Sequence, residues 1–433
     1  MRITLRLIVI TALFPWIETG QCSPLSPSDK AETVSITLEK AETLFVQNNL
    51  QLLAARYGIG AAKAAVYQAG LWSNPNITIE QNAYNKFTNK YFDVSKTGNT
   101  EVQLQQLILL AGKRDKQMRM AEINSQIAEE TFYNTLRALK FELRTDFFDL
   151  YFLQRSLAFY DQTLPEVRKT VASTEAIYEK RSILLSEVLR LKALLFSLED
   201  ERLGLLNRIS QTESEMSILL RDSSESAAYY VPQLGGRNLD SLRVDTLALP
   251  GMIGDIVEHR PDFRMAEAQV RYEEENLALQ KALRVPDVTV GGSYSRAGNY
   301  IPDYYALTVS IDLPIFNRNQ GTIEASAQNL EADKALRRHT RNEIEKEIVE
   351  AYRKAAATDS LYRSFDKKFT DEYQSLVDGM NASYGKRNIT IIEFTDFYES
   401  YRTSMLQLYQ LQNDRMDAFE ALNYAAGTAL INQ

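Results

Sequence analysis

The sequence predicts a mostly α-helical protein that also carries the strands of a membrane β-barrel, built as two copies of one helix–hairpin–helix design. Three observations predict it: the chain nearly repeats itself about 206 to 211 residues on, each copy holds two strands of alternating polarity, and long heptad-patterned helices follow each hairpin. Asn74-Pro75-Asn76-Ile77-Thr78-Ile79 falls over Val285-Pro286-Asp287-Val288-Thr289-Val290 at an offset of 211. Ala176-Ile177-Tyr178-Glu179-Lys180-Arg181 falls over Ala382-Ser383-Tyr384-Gly385-Lys386-Arg387 at an offset of 206, and the difference fits inside the first hairpin loop. Two copies of this length are too long for solenoid units and read as a duplicated half-domain closed by pseudo-symmetry.

The chain opens with Arg2 and Arg6 followed by the apolar run Leu7 to Trp16, the charge-then-hydrophobe order of a secretory signal, which sets residues 1–22 apart. That run is too short to span a bilayer, and no later stretch reaches 18 uninterrupted apolar residues. Cys22 is the only cysteine, so the exported body has no disulfide to form and depends on packing. It is the candidate lipidation site of a lipoprotein. Gln21 stands where a small residue normally precedes a lipid-accepting cysteine, which favours ordinary cleavage near this point as the competing reading.

The first copy spans about 35–222. Residues from about Ser35 to Trp72 are helical in pattern, and Asn74-Pro75 ends that helix, because the residue before proline is pushed out of the helical region. Pro75 and its counterpart Pro286 therefore start strands. Strands are expected at about 76–84 and 101–109 in the first copy, and at about 287–296 and 304–313 in the second, which spans about 251–425. In the second copy Tyr305, Leu307, Val309, Ile311 and Leu313 alternate with Thr308, Ser310 and Asp312, the pattern of a strand with lipid on one side and water on the other, which a soluble hairpin can also show. Tyr294, Tyr300, Tyr304 and Tyr305 fit an interfacial aromatic belt or a core-covering role equally well. Residues 223–250, richer in Ser, Gly and Pro, read as an inter-repeat link packed on the outside, and 426–433 as a tail.

Helices are expected from about Gly112 to Phe159 and from Gln320 to Ser364, each answered by a return helix. Leu184, Val188, Leu191, Leu195, Leu198, Arg202, Leu205 and Ile209 recur at alternating spacings of four and three, a heptad seam. A helix of about 45 residues would be about 68 Å long, which demands coiled-coil packing.

Catalytic constellations are scarce, and no cofactor is expected. The two histidines, His259 and His339, have no metal-ligand spacing around them and read as helix-surface residues. The methionines are scattered as packing residues are. Removing Arg2, Arg6 and Glu18 with the signal takes the formal charge from −8 to −9, which disfavours nucleic acid as a partner.

A signal segment, a duplicated hairpin and heptad helices together resemble the TolC family of bacterial outer-membrane efflux channels, over nearly all of the exported chain. The most specific pieces are Arg260 to Val270 (RPDFRMAEAQV) and Asp312 to Gly321 (DLPIFNRNQG). The second is a strand–helix corner motif of Pro314, Asn317, Arg318, Asn319, Gln320 and Gly321, similar to the form of the CzcC-like cobalt-zinc-cadmium resistance branch. The first copy departs from it, with Leu50 where the second has Pro261 and Ile108 where the second has Pro314. The resemblance implies a homotrimer in outer-membrane lipid, each protomer giving four strands to one twelve-stranded barrel, with the helices forming a tunnel in the periplasm. Strand count agrees, since four strands are too few to close a barrel.

The resemblance further implies passive conduction in a tripartite system with a periplasmic adaptor (membrane fusion) protein and an inner-membrane RND-type pump. The cargo it implies is heavy-metal cations, with multidrug efflux or type I secretion as alternatives. It also implies an aperture closed by helix-to-helix turns, which fall here near Tyr160 to Glu166 and Phe365 to Glu372. Asp161, Asp366 and Asp371 are then the candidate pore carboxylates, although Lys367 and Lys368 could neutralise them. Arg181 and Arg387 sit at matching positions, as interprotomer links or plain surface charge. Two other classes compete: a periplasmic coiled-coil adaptor or scaffold, against which the duplicated strands count, and a secreted enzyme, against which the missing motifs count.

Overall fold

The computed structural model describes residues 33–221, 229–236, 238–245, 249–297, 301–365 and 368–431, with the backbone alone at 368–372, 374 and 378. Residues 1–32, with the signal segment and Cys22, lie outside the described residues. The first copy runs β1 (Thr33–Thr37), α1 (Leu38–Asn48), α2 (Leu50–Ala69), β2 (Asn76–Gln81), the short β3 (Tyr84–Asn85) and β4 (Lys90–Tyr91), β5 (Thr100–Ile108), α3 (Lys113–Glu179) and α4 (Leu185–Leu220). After β6 (Tyr229–Gln233) and a 3-10 turn at Leu239–Ser241, the second copy runs α5 (Leu249–His259), α6 (Pro261–Ala282), β7 (Val288–Ala297), β8 (Pro302–Ile311), α7 (Gln320–Ser364), α8 (Lys368–Gly385) and α9 (Ile391–Ala426).

Equivalent helices of the two copies begin by different chemistry. Asn49 caps α2 by accepting from the N–H groups of Gln51 and Leu52 at 3.0 Å each, while its own amide donates to the Leu219 carbonyl. At the matching place α6 starts on Pro261, whose missing N–H costs nothing in the first turn. Leu50 and Pro261 are thus two solutions to one helix start. At the strand–helix corners, Gly112 and Asn319 both take left-handed backbone angles and precede α3 and α7. This fixes the corner offset at 207, so Leu107 rather than Ile108 is the counterpart of Pro314.

One expectation is overturned. Residues 160–166 form no turn: α3 runs unbroken for 67 residues, about 100 Å, straight through them. Pro165 removes one intrahelical hydrogen bond, but Tyr160, Leu164, Val167 and Val171 continue a buried stripe that holds the helix to its neighbours. The chain reverses instead at 180–184, between α3 and α4. In the second copy the helix does break at Phe365, yet it resumes as α8 and reverses only at 386–390. Counterparts Arg181 and Arg387 are 206 apart, so the second copy is one residue shorter between corner and reversal.

Helices α2 and α3, α3 and α6, and α6 and α7 pack side by side below the sheet, while α4 and α9 flank α3 further along. The largest core lies at mid-height, where α1 brings Phe45 against Leu143, Phe147, Met416 and Phe419. Tyr230 and Val244 join that core, and β6 pairs in parallel with β1, so the link is partly internal rather than packed only on the outside. A second core around Leu191, Leu198, Phe394 and Tyr398 occupies the heptad seams of α4 and α9. Leu184, the first seam residue, is exposed because it caps α4 at the reversal.

Candidate functional site

The four long strands form one antiparallel sheet in the order β2-β5-β7-β8. Its register, with Ile79 opposite Val102, Val102 opposite Tyr294 and Tyr294 opposite Tyr305, aligns the alternation of all four strands. One face carries Ile77, Ile79, Val102, Leu104, Val288, Val290, Leu307, Val309 and Ile311. The other carries Thr78, Glu80, Gln103, Gln105, Thr289, Ser293, Thr308 and Ser310. Among the described residues no helix covers the apolar face, and Leu307 is 93% exposed. Large apolar side chains on a continuous uncovered sheet face are what a hydrocarbon environment requires. Among the described residues β2 and β8 each pair on one side only, so the sheet is open at both edges.

Gly291 sits on the polar face where the strands approach closely: an added Cβ would lie 2.6 Å from the Leu104 carbonyl oxygen and 2.8 Å from Thr308 Oγ1. The loop between β2 and β5 is organised around Asp93. Its carboxylate accepts from the Ser95 hydroxyl and N–H, the Thr88 hydroxyl and the Asn85 amide. Those donors, Ser95 first, hold its pKa well below the usual carboxylate range.

Two polar latches fix the corners. Lys113, 3% exposed, donates to the Val285 carbonyl and to Asp287 Oδ1, both at 2.7 Å, and the Leu110 N–H donates to the same carboxylate oxygen at 2.9 Å. Asn319 donates to the Gln280 carbonyl and side-chain oxygen. Within the corner motif, Asn317 accepts from the Asn319 N–H and Gln320 from the Arg318 N–H. Gly321 stands in open space within α7, and Pro314 lies three residues past the end of β8 at Ile311. Pro75 directly precedes β2 and Pro286 lies two residues before β7.

At the far end, the two reversals share one geometry. The Arg181 N–H donates to the Tyr178 carbonyl at 2.7 Å and Ser182 N–H to Ile177, while Arg387 N–H donates to Tyr384 and Asn388 N–H to Ser383 at 2.9 Å each. Both are Schellman closures with arginine in the left-handed position, φ 57° and 61°, where glycine is usual. Thr390 and Glu393 then form a capping box for α9. Lys180-Arg181 and Lys386-Arg387 therefore put a basic pair on each reversal, and a groove of about 610 Å³ lies between them, lined by Thr174, Ile177, Ile183, Tyr384 and Ile389. The repeat at 176–181 and 382–387 was the sequence signal for these turns.

The candidate pore carboxylates are not brought together. Asp161 lies mid-helix in α3, well before the reversal, and is paired with Arg202 of α4 at 2.8 Å. Asp371 falls in the first turn of α8. Asp366 lies outside the described residues. A different acidic group emerges at mid-height. Burial beside Glu215, Glu142 and Asp149 pushes Asp146 up to about 7, and burial beside Asp149 and Asp414 pushes Asp417 up to about 7. Asp146 Oδ2, Asp417 Oδ1 and Asn413 Oδ1 are buried acceptors without a donor among the described residues.

With this geometry in view, the family description that matches the chain is "Outer membrane efflux protein", over residues 44–220 and 252–428. The chain belongs to that family. As an efflux protein it is similar to the cobalt-zinc-cadmium resistance protein CzcC of Cupriavidus metallidurans, 23% identical over 332 residues, 74% of this chain and 72% of that protein. It is 30% identical to the pyoverdine export outer membrane protein OpmQ of Pseudomonas aeruginosa over 156 residues, 34% of this chain and 28% of that protein. Its fold is similar to that of CusC, with a TM-score of 0.73 at 17% identity over 92% of this chain and 94% of that one. The Campylobacter jejuni outer membrane channel CmeC gives 0.74 at 13% identity over 90% and 86%.

Proposed function

We propose that this efflux protein is the outer-membrane channel of a tripartite efflux system, passively conducting heavy-metal cations from the periplasm to the exterior. The observation that carries the channel reading is the open four-stranded sheet with one mainly apolar face, interrupted by Gln106 opposite Val290, and two edges unpaired among the described residues. Such a sheet is costly in water and in lipid until its edges close, and closure by copies of itself makes a barrel. A homotrimer gives twelve strands in outer-membrane lipid, with the helical body in the periplasm. Among the described residues no helix is long and apolar enough to cross a membrane. The reversals, with their basic pairs and intervening groove, form the end offered to a periplasmic adaptor and an inner-membrane RND-type pump.

Metal cargo is supported by the similarity to CzcC and by the corner motif. A second reading, export of an organic compound, is favoured by the similarity to OpmQ. Asp371 and Asp366 are proposed as the acidic constriction. Asp161 is compensated by Arg202, which weakens its part in that ring. Cys22 is proposed as the residue acylated after export, should cleavage fall just before it. The test is growth of a clean deletion strain on zinc, cobalt, cadmium and copper salts beside dyes, detergents and antibiotics. Sensitivity to metals alone, restored by the intact gene, supports the metal reading; sensitivity to organic compounds alone overturns it and keeps the channel.

A further inference from the structure

We infer that the corner motif Asn317 to Gln320 is an intersubunit latch whose partner is the β2 edge of a second copy, in a register set by the chain's own duplication. The inference rests on the reading of the sheet as part of a closed ring. Within one chain the two hairpins already meet, β5 of the first against β7 of the second, with Ile108 opposite Val288, Gln106 opposite Val290 and Leu104 opposite Gly292. The repeat carries β5 onto β8 at the corner offset of 207, and carries β2 onto β7 at 211. The junction inside the chain is therefore a template for the junction between chains, β8 against β2 of the next copy. Transferring the pairs gives Ile315 opposite Ile77, Leu313 opposite Ile79 and Ile311 opposite Gln81 of that copy.

Two independent features agree with this register. First, it keeps the faces aligned: Leu313 continues the apolar alternation of β8 past its last paired residue and falls on the apolar face of β2, and Ile315 follows where the chain bends at Pro314, its N–H donating to the Leu313 carbonyl at 2.9 Å. A slip by one residue would set Leu313 beside Thr78 or Glu80. Both side chains are exposed in the single chain, with nothing in it to cover them. Second, the template junction carries a polar latch that has an unfilled image. Lys113 and Leu110 hold Asp287 at the β5–β7 corner. Their counterparts are Gln320 and Asn317, and the counterpart of Asp287 is Asn76. Within the chain the Gln320 oxygen accepts only from the Arg318 N–H, its amide donates to the Phe316 carbonyl, and Asn76 accepts from the Thr78 hydroxyl; Gln320 and Asn76 are exposed, whereas Lys113 is buried. In the ring, the Asn317 N–H and the Gln320 amide donate to Asn76 Oδ1 of the next copy. The charged pair thus holds the junction inside each chain, and a neutral amide pair holds the junction between chains.

The test is disulfide trapping in isolated outer membranes of cells making the full chain. Directly opposite strand residues have Cα atoms about 4.5–5.5 Å apart, within disulfide range, and residues displaced by two positions do not. The double variant Ile79→Cys with Leu313→Cys is expected to give thiol-reducible dimer and trimer bands, while each single variant gives none. If the unmodified protein runs as a heat-modifiable oligomer but this pair is silent and Ile77→Cys with Leu313→Cys bonds instead, the register and the latch are overturned and the ring survives. A monomeric unmodified protein with every pair silent overturns the ring as well. A second arm moves the charged latch to the edge: Asn76→Asp with Gln320→Lys is expected to slow subunit dissociation roughly tenfold, with neither single variant doing so. Equal effects of the singles and the double would overturn the latch.

Discussion

Replacing Asp146 by asparagine should stabilise the protein, and only at neutral and alkaline pH. Asp146 lies on α3, 9% exposed, with Glu142 and Asp149 on its own helix and Glu215 on α4 around it, and one of its oxygens has no donor. Its folded pKa is pushed up to about 7 from the ordinary value of 3.8, by burial first and then by those carboxylates. A raised carboxylate pKa means the folded state binds its proton more tightly than the unfolded chain does. Stability is therefore lost as pH rises from about 4 to about 7, and below about 4 the site costs nothing. With solvent screening of a seam that is only partly dry, the ionised form costs about 2 kcal/mol at pH 8. Asparagine removes that charge and supplies an N–H donor to the carboxylates beside it. Thermal unfolding of detergent-solubilised protein should show Asp146→Asn melting several degrees above wild type at pH 8, with the gap closing by pH 4.5. A gap that does not change with pH, or a variant that melts lower at pH 8, would refute the reasoning.

Three further outcomes are expected. Arg181→Gly with Arg387→Gly relieves two left-handed non-glycine residues, worth up to about 1 kcal/mol each before the entropy of glycine is counted, so the melting temperature should hold or rise. The same variant should lose export in a growth complementation assay if the adaptor reads the basic pairs, and intact export would remove that role. Gly291→Val places its Cβ against the Leu104 carbonyl and should cost about 1–3 kcal/mol in the sheet, seen as less heat-resistant oligomer on gels. Arg415→Met removes one of the two arginines on Asp359, which keeps Arg363 at 3.0 Å, and strips a donor from the Leu239 carbonyl while the Leu242 carbonyl keeps Arg363, so about 1–3 kcal/mol should be lost, with faster proteolysis at 239–245.

The hairpins were legible because no described residue outside the sheet covers their apolar face, so period-two alternation is the whole signal. Helix ends were less so. Residues 160–166 look like a turn because Pro165 and several polar side chains interrupt the pattern, and only the neighbours that bury Leu164, Val167 and Val171 show that the helix continues. The true reversals were in plain sight as the repeated Lys-Arg pairs, but arginine in a left-handed position carries no glycine flag. Asp146 and Asp417 read as solvated helix carboxylates because burial depends on which helix comes to lie beside them. The same holds for Asp93, whose donors gather only when the loop folds back on itself.

Under the proposed assembly, the polar anchors concentrate at the middle of the body and leave its two ends for neighbours. Arg144 joins Glu42 and Glu420, Arg415 joins Asp359 and two link carbonyls, and Arg260 joins Asp262, Glu347 and the Ala425 carbonyl near the end of α9. All of these tie α1, the link and α5–α6 to α3, α7 and α9, so the mid-height of the body is anchored within one chain, even though Asp146, Asn413 and Asp417 each keep a buried acceptor without a donor among the described residues. The sheet end is the reverse: its apolar face and both edges have no internal partner, and Lys113 with Asp287 secures only the junction that lies inside the chain. At the reversals, backbone closures hold the turns while both basic pairs point away from any core. A fold stabilised in this order is secured as a protomer first and completed as a channel only by neighbours, so loss of a mid-height anchor should deplete the protomer itself, whereas loss of an edge or corner residue should leave folded protomers that fail to assemble.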